Sequence, residues 1–329
     1  MTGPVQSRPQ PRVVAFGGGH GLSASLEALR NLTSDLTAVV TVADDGGSSG
    51  RLRHELGALP PGDLRMALAA LSGDDDWHQL WAQLFQHRFE GGGTLTGHAV
   101  GNLVLTALID VLGDPVAALD VAARLLGARG RVLPLSVRPL EIVADVVGLD
   151  HTDPGASQEV RGQVAVATTP GQVVRVRLEP AEPPGCAEAV EAIHAADWAV
   201  LGPGSWFTSV IPHLLVPDVA KALGGARARR LIALNLSPQA GETDGFSPTT
   251  HLEVLAAHAP ELEVDVVLVD VSAVAGGDSD LRECVSSLGA QLVVRRIARD
   301  DGTPRHDAQR LAAAYDEIFT SHEGDSAWR

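Results

Sequence analysis

Four times in this 329-residue chain a short apolar, β-branched run stops at a loop crowded with glycine and polar side chains, and a helical pattern follows. Val13 to Phe16 ends in Gly17-Gly18-Gly19-His20-Gly21, after which Leu22, Leu26 and Leu29 fall on one helical stripe. Leu36 to Ala43 ends in Asp44-Asp45 and a Gly/Ser loop reaching Gly50. Trp198 to Leu201 ends in Gly202-Pro203-Gly204-Ser205, and Leu231 to Leu236 meets a polar stretch reaching Ser247. Strands covered on both faces lose the apolar/polar alternation, and parallel neighbours need a helical return. The pattern predicts an α/β fold with a mostly parallel sheet, whose ligands sit beyond the carboxyl ends of the strands.

Other segments fit the same rhythm. Pro60-Pro61-Gly62-Asp63 reads as a helix start with Leu64 to Leu71 as its body, and Trp77 to Phe89 and Val100 to Leu112 read as helices parted by Gly91-Gly92-Gly93. Ser247-Pro248 reads as an N-cap followed by proline at the first helical position. Val264 to Val271 and Leu292 to Ile297 supply late strands, and Asp307 caps a closing helix from Ala308 to Phe319. The middle differs. Leu140 to Leu149 and Gly162 to Leu178 are Val-rich and broken by Pro154-Gly155 and Pro170-Gly171, as hairpin strands would be. We expect one domain over residues 12–319, with a small β-rich subdomain inserted at about 130–185, a disordered segment at 1–11 and a frayed tail at 320–329.

Charge narrows the function. With 41 acidic and 25 basic residues the net charge is −16, which argues against a broad grip on nucleic acid or an anionic membrane, but not against one small anion held by backbone N–H groups and a few arginines. No apolar run approaches the roughly 18 residues of a spanning helix. Two cysteines, Cys186 and Cys284, give neither a disulfide framework nor a zinc site, and the polar, Pro-rich start lacks the form of a secretory signal; both point to the cytoplasm.

The glycine loops carry the chemistry. Gly17, Gly18, Gly19, His20 and Gly21 let backbone N–H groups approach an anion at a helix N-terminus. The loop matches neither G-x-G-x-x-G nor the P-loop, so non-standard phosphate binding and tight strand-to-helix packing both remain readings. In the second loop Asp44 and Asp45 are able to hold Mg²⁺, bind ribose hydroxyls or act as a base, Ser48 and Ser49 are candidate ligand contacts, and Arg51 can meet phosphate; a capped turn with solvated arginines is the plain alternative. Gly46-x-Ser48-x-Gly50 also matches a nucleophile elbow, with no histidine assignable to it. In the third loop Gly202, Pro203, Gly204, Ser205, Thr208 and Ser209 form either an anion nest or an ordinary turn. In the fourth, Asn235 and Gln239 can read a base or sugar amide, and Glu242 and Asp244 can bind hydroxyls or metal. His98 and Asn102 open one helix, where His98 either orients a ligand or merely caps and Asn102 is a candidate ligand contact, and Arg305, another candidate contact, precedes the closing helix.

The segments VVAFGGGHGL (13–22), VADDGGSSGRLR (42–53), PGDLR (61–65), GHAVGNL (97–103), LGPGSWFTSVIP (201–212) and GETDGFS (241–247) together resemble the YvcK family of gluconeogenesis factors, relatives of 2-phospho-L-lactate transferase (CofD). The resemblance runs in order over about residues 12–320. It implies a bacterial, cytoplasmic protein with a Rossmann-like three-layer α/β sandwich, associated with growth on gluconeogenic carbon sources and with cell shape and wall synthesis. It also implies binding of UDP-sugars such as UDP-N-acetylglucosamine, and a homodimer or larger assembly. The transferase relatives use Mg²⁺ and a guanosine-diphosphate-activated phospho-acid, and their aspartates after the second strand resemble Asp44 and Asp45. His213 stands where many relatives carry a polar amide and joins the candidate ligand residues.

Two readings follow. One is a UDP-sugar-binding regulator acting through a protein partner, with the loops at Gly17–Gly21 and Gly202–Ser209 on the diphosphate and Asn235 and Gln239 on uracil or sugar. No catalytic residue and no certain cofactor are then assigned. The other is a CofD-like transferase or another UDP-sugar enzyme, with Asp44 and Asp45 positioning Mg²⁺.

Overall fold

The first strand, β1 (Val13–Gly17), is buried along its whole length because both its neighbours are strands and helices cover its two faces. The computed structural model describes residues 10–239 and 241–322. The expectations for residues 1–9 and 323–329 therefore lie outside the described residues.

Helix α1 (Gly19–Leu29) leads to β2 (Leu36–Val40), α2 (Gly47–Leu56), α3 (Gly62–Ala70), α4 (Asp76–Gln86), α5 (Val100–Leu112), α6 (Pro115–Leu125) and β3 (Arg131–Pro134). The middle holds β4 (Glu141–Val147), β5 (Gln158–Arg161), α7 (Gln163–Ala167) and β6 (Gln172–Glu179). The second half runs α8 (Ala187–Ala195), β7 (Trp198–Leu201), a π-turn at Trp206–Val210, α9 (Ile211–Leu214), α10 (Pro217–Gly225), β8 (Arg229–Ala233) and α11 (Pro248–His258). It closes with β9 (Val266–Asp270), α12 (Ser279–Ser287), β10 (Gln291–Arg295) and α13 (Ala308–Ser321).

Among the described residues seven strands form one parallel sheet in the order β10-β9-β8-β7-β1-β2-β3, and β5-β4-β6 form a small antiparallel sheet. This is the expected α/β fold with a β-rich insert. The chain builds β1 to β3 outward in one direction, then returns to lay β7 on the other flank of β1. The switch point between β1 and β7 opens a crevice at their carboxyl ends. Helix α1 is locked to α13 by the Ser25 Oγ–Tyr315 Oη hydrogen bond of 2.8 Å, buried in the core.

Several local expectations shift. Strand β3 pairs with β2 in the main sheet, so the antiparallel sheet itself spans Glu141–Glu179. Gly162 to Leu178 is not one run of strand: α7 interrupts it, started by Gly162 at φ +92° and by the Val164 N–H donating to Asp45 Oδ1 at 2.9 Å. The Gly/Ser loop after β2 becomes helix at Gly47, since Gly50 has no Cβ to strike the Asp45 backbone in the first turn. The closing helix reaches Ser321. Ser247 and Asp307 do cap their helices, accepting from Thr250 N–H and from Gln309 and Arg310 N–H respectively.

Candidate functional site

At the switch point lies a cleft of about 970 Å³. Its walls come from the turn after β1, from Asp44 and Asp63, from the turn after β7, from Asn235 to Gln239, and from Arg299, Arg305 and His306. A larger cavity of about 1130 Å³ sits at the opposite, amino ends of the strands, lined by Arg12, Asp197, Trp198 and Arg229, away from every glycine loop.

The turns after β1 and β7 touch. A Cβ on Gly21 would strike the Pro203 carbonyl oxygen and come within 2.5 Å of Gly204 Cα, so only glycine lets the two backbones meet. Helix α1 then starts with no side-chain cap, and its first turn lines the cleft with Asp63 beside Gly18 and Gly19. Helix N-termini of this kind attract anions.

The turn after β7 is built for a different purpose. Glu242, 5% exposed, accepts from Phe207 N–H at 2.6 Å, from Thr208 N–H at 3.0 Å and from the Ser205 hydroxyl. A carboxylate of the chain already fills the nest expected to hold diphosphate. Burial raises its proton affinity, and the three donated hydrogen bonds oppose that. Asn235 is committed as well: its Oδ1 accepts from Gly204 N–H at 2.9 Å and its Nδ2 donates to Gly204 O at 2.8 Å. Rather than reading a base, it props the Gly204 backbone.

The acidic pair also divides. Asp44 faces the cleft, its Oδ1 accepting from Gly46 N–H at 2.9 Å. Asp45 turns away to cap α7, and a Cβ on Gly162 would collide with it. The second cleft carboxylate is Asp63, from the first turn of α3. Packing around it, then the charge of Asp44, pushes its carboxyl up to about 7, although part of its surface stays open to the cleft. Both carboxylates lie against glycines: a Cβ on Gly62 would sit 2.6 Å from Asp44 Oδ2, and one on Gly18 would strike Asp63. A carboxyl whose proton affinity is raised by a neighbouring carboxylate suits a hard divalent cation, which would relieve that repulsion. Among the described residues no group of three or more His, Cys, Asp or Glu side chains forms a metal cluster, so Asp44 and Asp63 would leave most of the shell to water or ligand.

Of the other candidates, Gly18, Gly19, His20, Gly21, Pro203, Gly204, Ser205, Thr208, Ser209, Gln239 and Arg305 line the cleft. Gly17 and Gly202 sit just behind it with positive φ, shaping the turns. Ser48 and Asn102 are buried in a chain in which Arg65 Nε donates to Asn102 Oδ1, Asn102 Nδ2 donates to Ser48 Oγ, and Ser48 Oγ meets His98 Nδ1, each at 2.9 Å. Ser49 is buried beside Gly62. Arg51 staples the glycine-rich loop before α5, donating to Thr94 O at 3.0 Å and Thr96 O at 2.7 Å. His213 is fully buried, with Nε2 3.0 Å from Val39 O and its ring edge-on to Phe16; burial holds its pKa down to about 4, so it is a neutral core histidine.

Sequence reasoning missed Asp63, Arg65, Arg299 and His306 as site-forming residues. The one local signal was an acid directly after Pro-Pro-Gly at the start of α3. His306 is 8% exposed and kept neutral by burial, which holds its pKa down to about 4 against the opposing influence of the Leu234 carbonyl. Its Nε2 has no partner among the described residues, and neither has Gln239 Oε1.

The comparisons agree with this architecture. The family model for 2-phospho-L-lactate transferase CofD matches residues 13–290. A Mycobacterium tuberculosis protein named "Putative gluconeogenesis factor" is 55% identical over 316 residues, covering 95% of this chain and 92% of its own. The "Gluconeogenesis factor" of Bacillus subtilis is 35% identical over 318 residues, covering 92% and 96%. A crystal structure of a UPF0052-family protein from Bacillus halodurans superposes with a TM-score of 0.82 at 36% identity, covering 94% of this chain and 99% of that one. With a glycine-lined crevice at the β1/β7 switch point and these relatives along nearly its whole length, the chain belongs to the gluconeogenesis-factor (YvcK, UPF0052) branch of the CofD family.

Proposed function

We propose that this protein is a cytoplasmic UDP-sugar-binding regulator, holding UDP-N-acetylglucosamine or UDP-glucose in the β1/β7 cleft and linking carbon metabolism on gluconeogenic substrates to cell shape and wall synthesis through a protein partner. The observation that carries the reading is the division of labour along the cleft. Open first-turn amides of α1 stand at one side; Arg299 and Arg305 stand at the other, and the Arg305 guanidinium has no hydrogen-bond or ion-pair partner among the described residues. A diphosphate needs such donors. His306 Nε2 and Gln239 Oε1, on residues lining the cleft, are buried polar atoms without a partner among the described residues, and a uracil N–H or a sugar hydroxyl that reached them would supply one. The cleft volume is also in the range of small-molecule sites. A homodimer or larger assembly belongs to the proposal, and the exposed Trp77, Leu80 and Leu84 on α4 offer it apolar surface.

A second reading, a Mg²⁺-dependent transferase of the CofD kind, draws on the Asp44/Asp63 pair, because a carboxyl that titrates near 7 suits proton transfer. Mg²⁺ held by these two side chains would neutralise charge on a diphosphate. Calorimetric titration with UDP-N-acetylglucosamine, UDP-glucose and GDP, each with and without Mg²⁺ and followed by product analysis, separates the two. Mg²⁺-independent binding of a UDP-sugar without product is the regulator's result. Preference for GDP, strict Mg²⁺ dependence, or product lost in Asp63→Asn moves the assignment to the transferase.

A further inference from the structure

A second cavity, of about 740 Å³, lies between α1, α3 and α4. It meets the glycine cleft along His20, Ser23 and Glu27, which line both. Two arginines line it with no ion pair among the described residues. Arg65 is 3% exposed and its rotamer is fixed by the Nε bond to Asn102, the end of the buried chain through Ser48 and His98. Its two terminal nitrogens have no hydrogen-bond or ion-pair partner among the described residues, so a buried fork of donors lines the cavity unpartnered. Arg88 lies near enough that, after burial, its charge is the next largest influence holding Arg65 down to about 10. One Arg88 nitrogen donates to Gly97 O at 2.8 Å, and no acid pairs with it among the described residues. Arg30, on the same wall, is already spent on Ala70 O, Ser72 O and Asp74. Among the described residues the one acid lining the cavity is Glu27, exposed and without an ion pair there.

Burying Arg65 near the charge of Arg88 is costly, and the charges of Asp63 and Asp44 offset part of that cost; an anion in the cavity would offset the rest. In a chain of net charge −16 such a positive pocket is a local exception. We propose that this cavity is a second ligand site, taking the phosphate or carboxylate group of a small molecule on the Arg65/Arg88 pair. That molecule would lie against whatever occupies the glycine cleft, across the shared His20–Glu27 wall. The proposal does not depend on the identity of the cleft ligand, and it holds under either reading of the function.

The test is calorimetric titration of the full chain with inorganic phosphate and, separately, malonate, to tell a phosphate group from a carboxylate. The proteins compared are wild type, Arg88→Gln, Arg65→Gln and Arg305→Ala. Arg88 is exposed and outside the buried chain, so its variant keeps the fold even where Arg65→Gln unfolds. Loss of about tenfold or more in oxyanion affinity in Arg88→Gln, with Arg305→Ala unchanged, is the expected result. In Arg88→Gln the affinity for UDP-N-acetylglucosamine, where measurable, should hold within about twofold. The proposal is overturned if neither anion binds at millimolar concentration, if Arg305→Ala and not Arg88→Gln abolishes binding, or if the UDP-sugar displaces the anion one for one. Failure of the UDP-sugar to bind at all, with phosphate still lost in Arg88→Gln, would sink the cleft reading and leave this one standing.

Discussion

The turns after β1 and after β7 are built from the same material, glycine at a strand end leading into a helix, and they touch at Gly21 and Gly204. Their amides meet different fates. After β1, the first turn of α1 lines the cleft, with Asp63 beside it and no side-chain cap. After β7, Glu242 fills the nest at Phe207 and Thr208, and Asn235 clamps Gly204 from behind. A glycine-rich turn thus marks where backbone donors converge, and a segment far along the chain decides whether they receive a ligand or an internal carboxylate. On the proposed function the first turn is the receptor and the second its rigid abutment.

The sharpest way to break this comparison is Gly21→Ala. The added methyl meets backbone, which cannot rotate away, so we expect about 4 kcal/mol of lost stability in urea unfolding and loss of UDP-sugar binding. An alanine tolerated at wild-type stability would mean that the two turns do not touch. Next is Glu242→Ala, which strands two buried amides and a hydroxyl and should cost about 3 kcal/mol. If its stability instead stays near wild type and UDP-sugar affinity collapses, the β7 turn is a receptor after all.

Asp63→Asn probes the other turn through pH. Burial and Asp44 raise the folded-state pKa of Asp63 from 3.8 to about 7, so the folded protein holds this proton more tightly than the unfolded chain. Its stabilising effect is present in full below about pH 4 and is lost as pH climbs towards 7. The asparagine variant escapes that loss and, allowing for the carboxyl's opening to the cleft, should gain about 2 kcal/mol on wild type by pH 8 while gaining nothing at pH 4. Thermal melts across that range check it, and parallel profiles for the two proteins would refute it. Mg²⁺ should raise the wild-type melting temperature more than that of the variant. The smallest effect contrasts two arginines: Arg305→Ala should weaken UDP-sugar binding about tenfold at unchanged stability, whereas Arg51→Ala should cost about 1 kcal/mol of stability and leave affinity alone. Reversed outcomes would put Arg51 in the site and Arg305 outside it.

Local patterns in the chain were sufficient for much of this architecture. Apolar runs such as Val13–Phe16 announced buried parallel strands, Ser247 and Asp307 announced helix starts, and the glycine turns announced the end of the sheet where the cleft lies. Each of these depends on residues within a turn or two of one another, where backbone geometry dictates the outcome. Which polar groups face the cleft was not legible in the same way. Asp44 and Asp45 are adjacent and alike, yet Asp45 is drawn off by Val164, 119 positions away, and Asp63 takes its place. His213, placed among the ligand residues by motif, is walled in between Val39 and Phe16. Arg51 reads as a phosphate arm until the loop carrying Thr94 and Thr96 folds against it. A buried donor or acceptor must find a partner, and its nearest partner in space is set by packing. The sequence alone therefore determined most strands of the sheet, their polarity and the end at which the glycine loops gather; only the tertiary structure placed β3 at the sheet's edge and divided the polar residues at that end between internal hydrogen bonds and the open cleft.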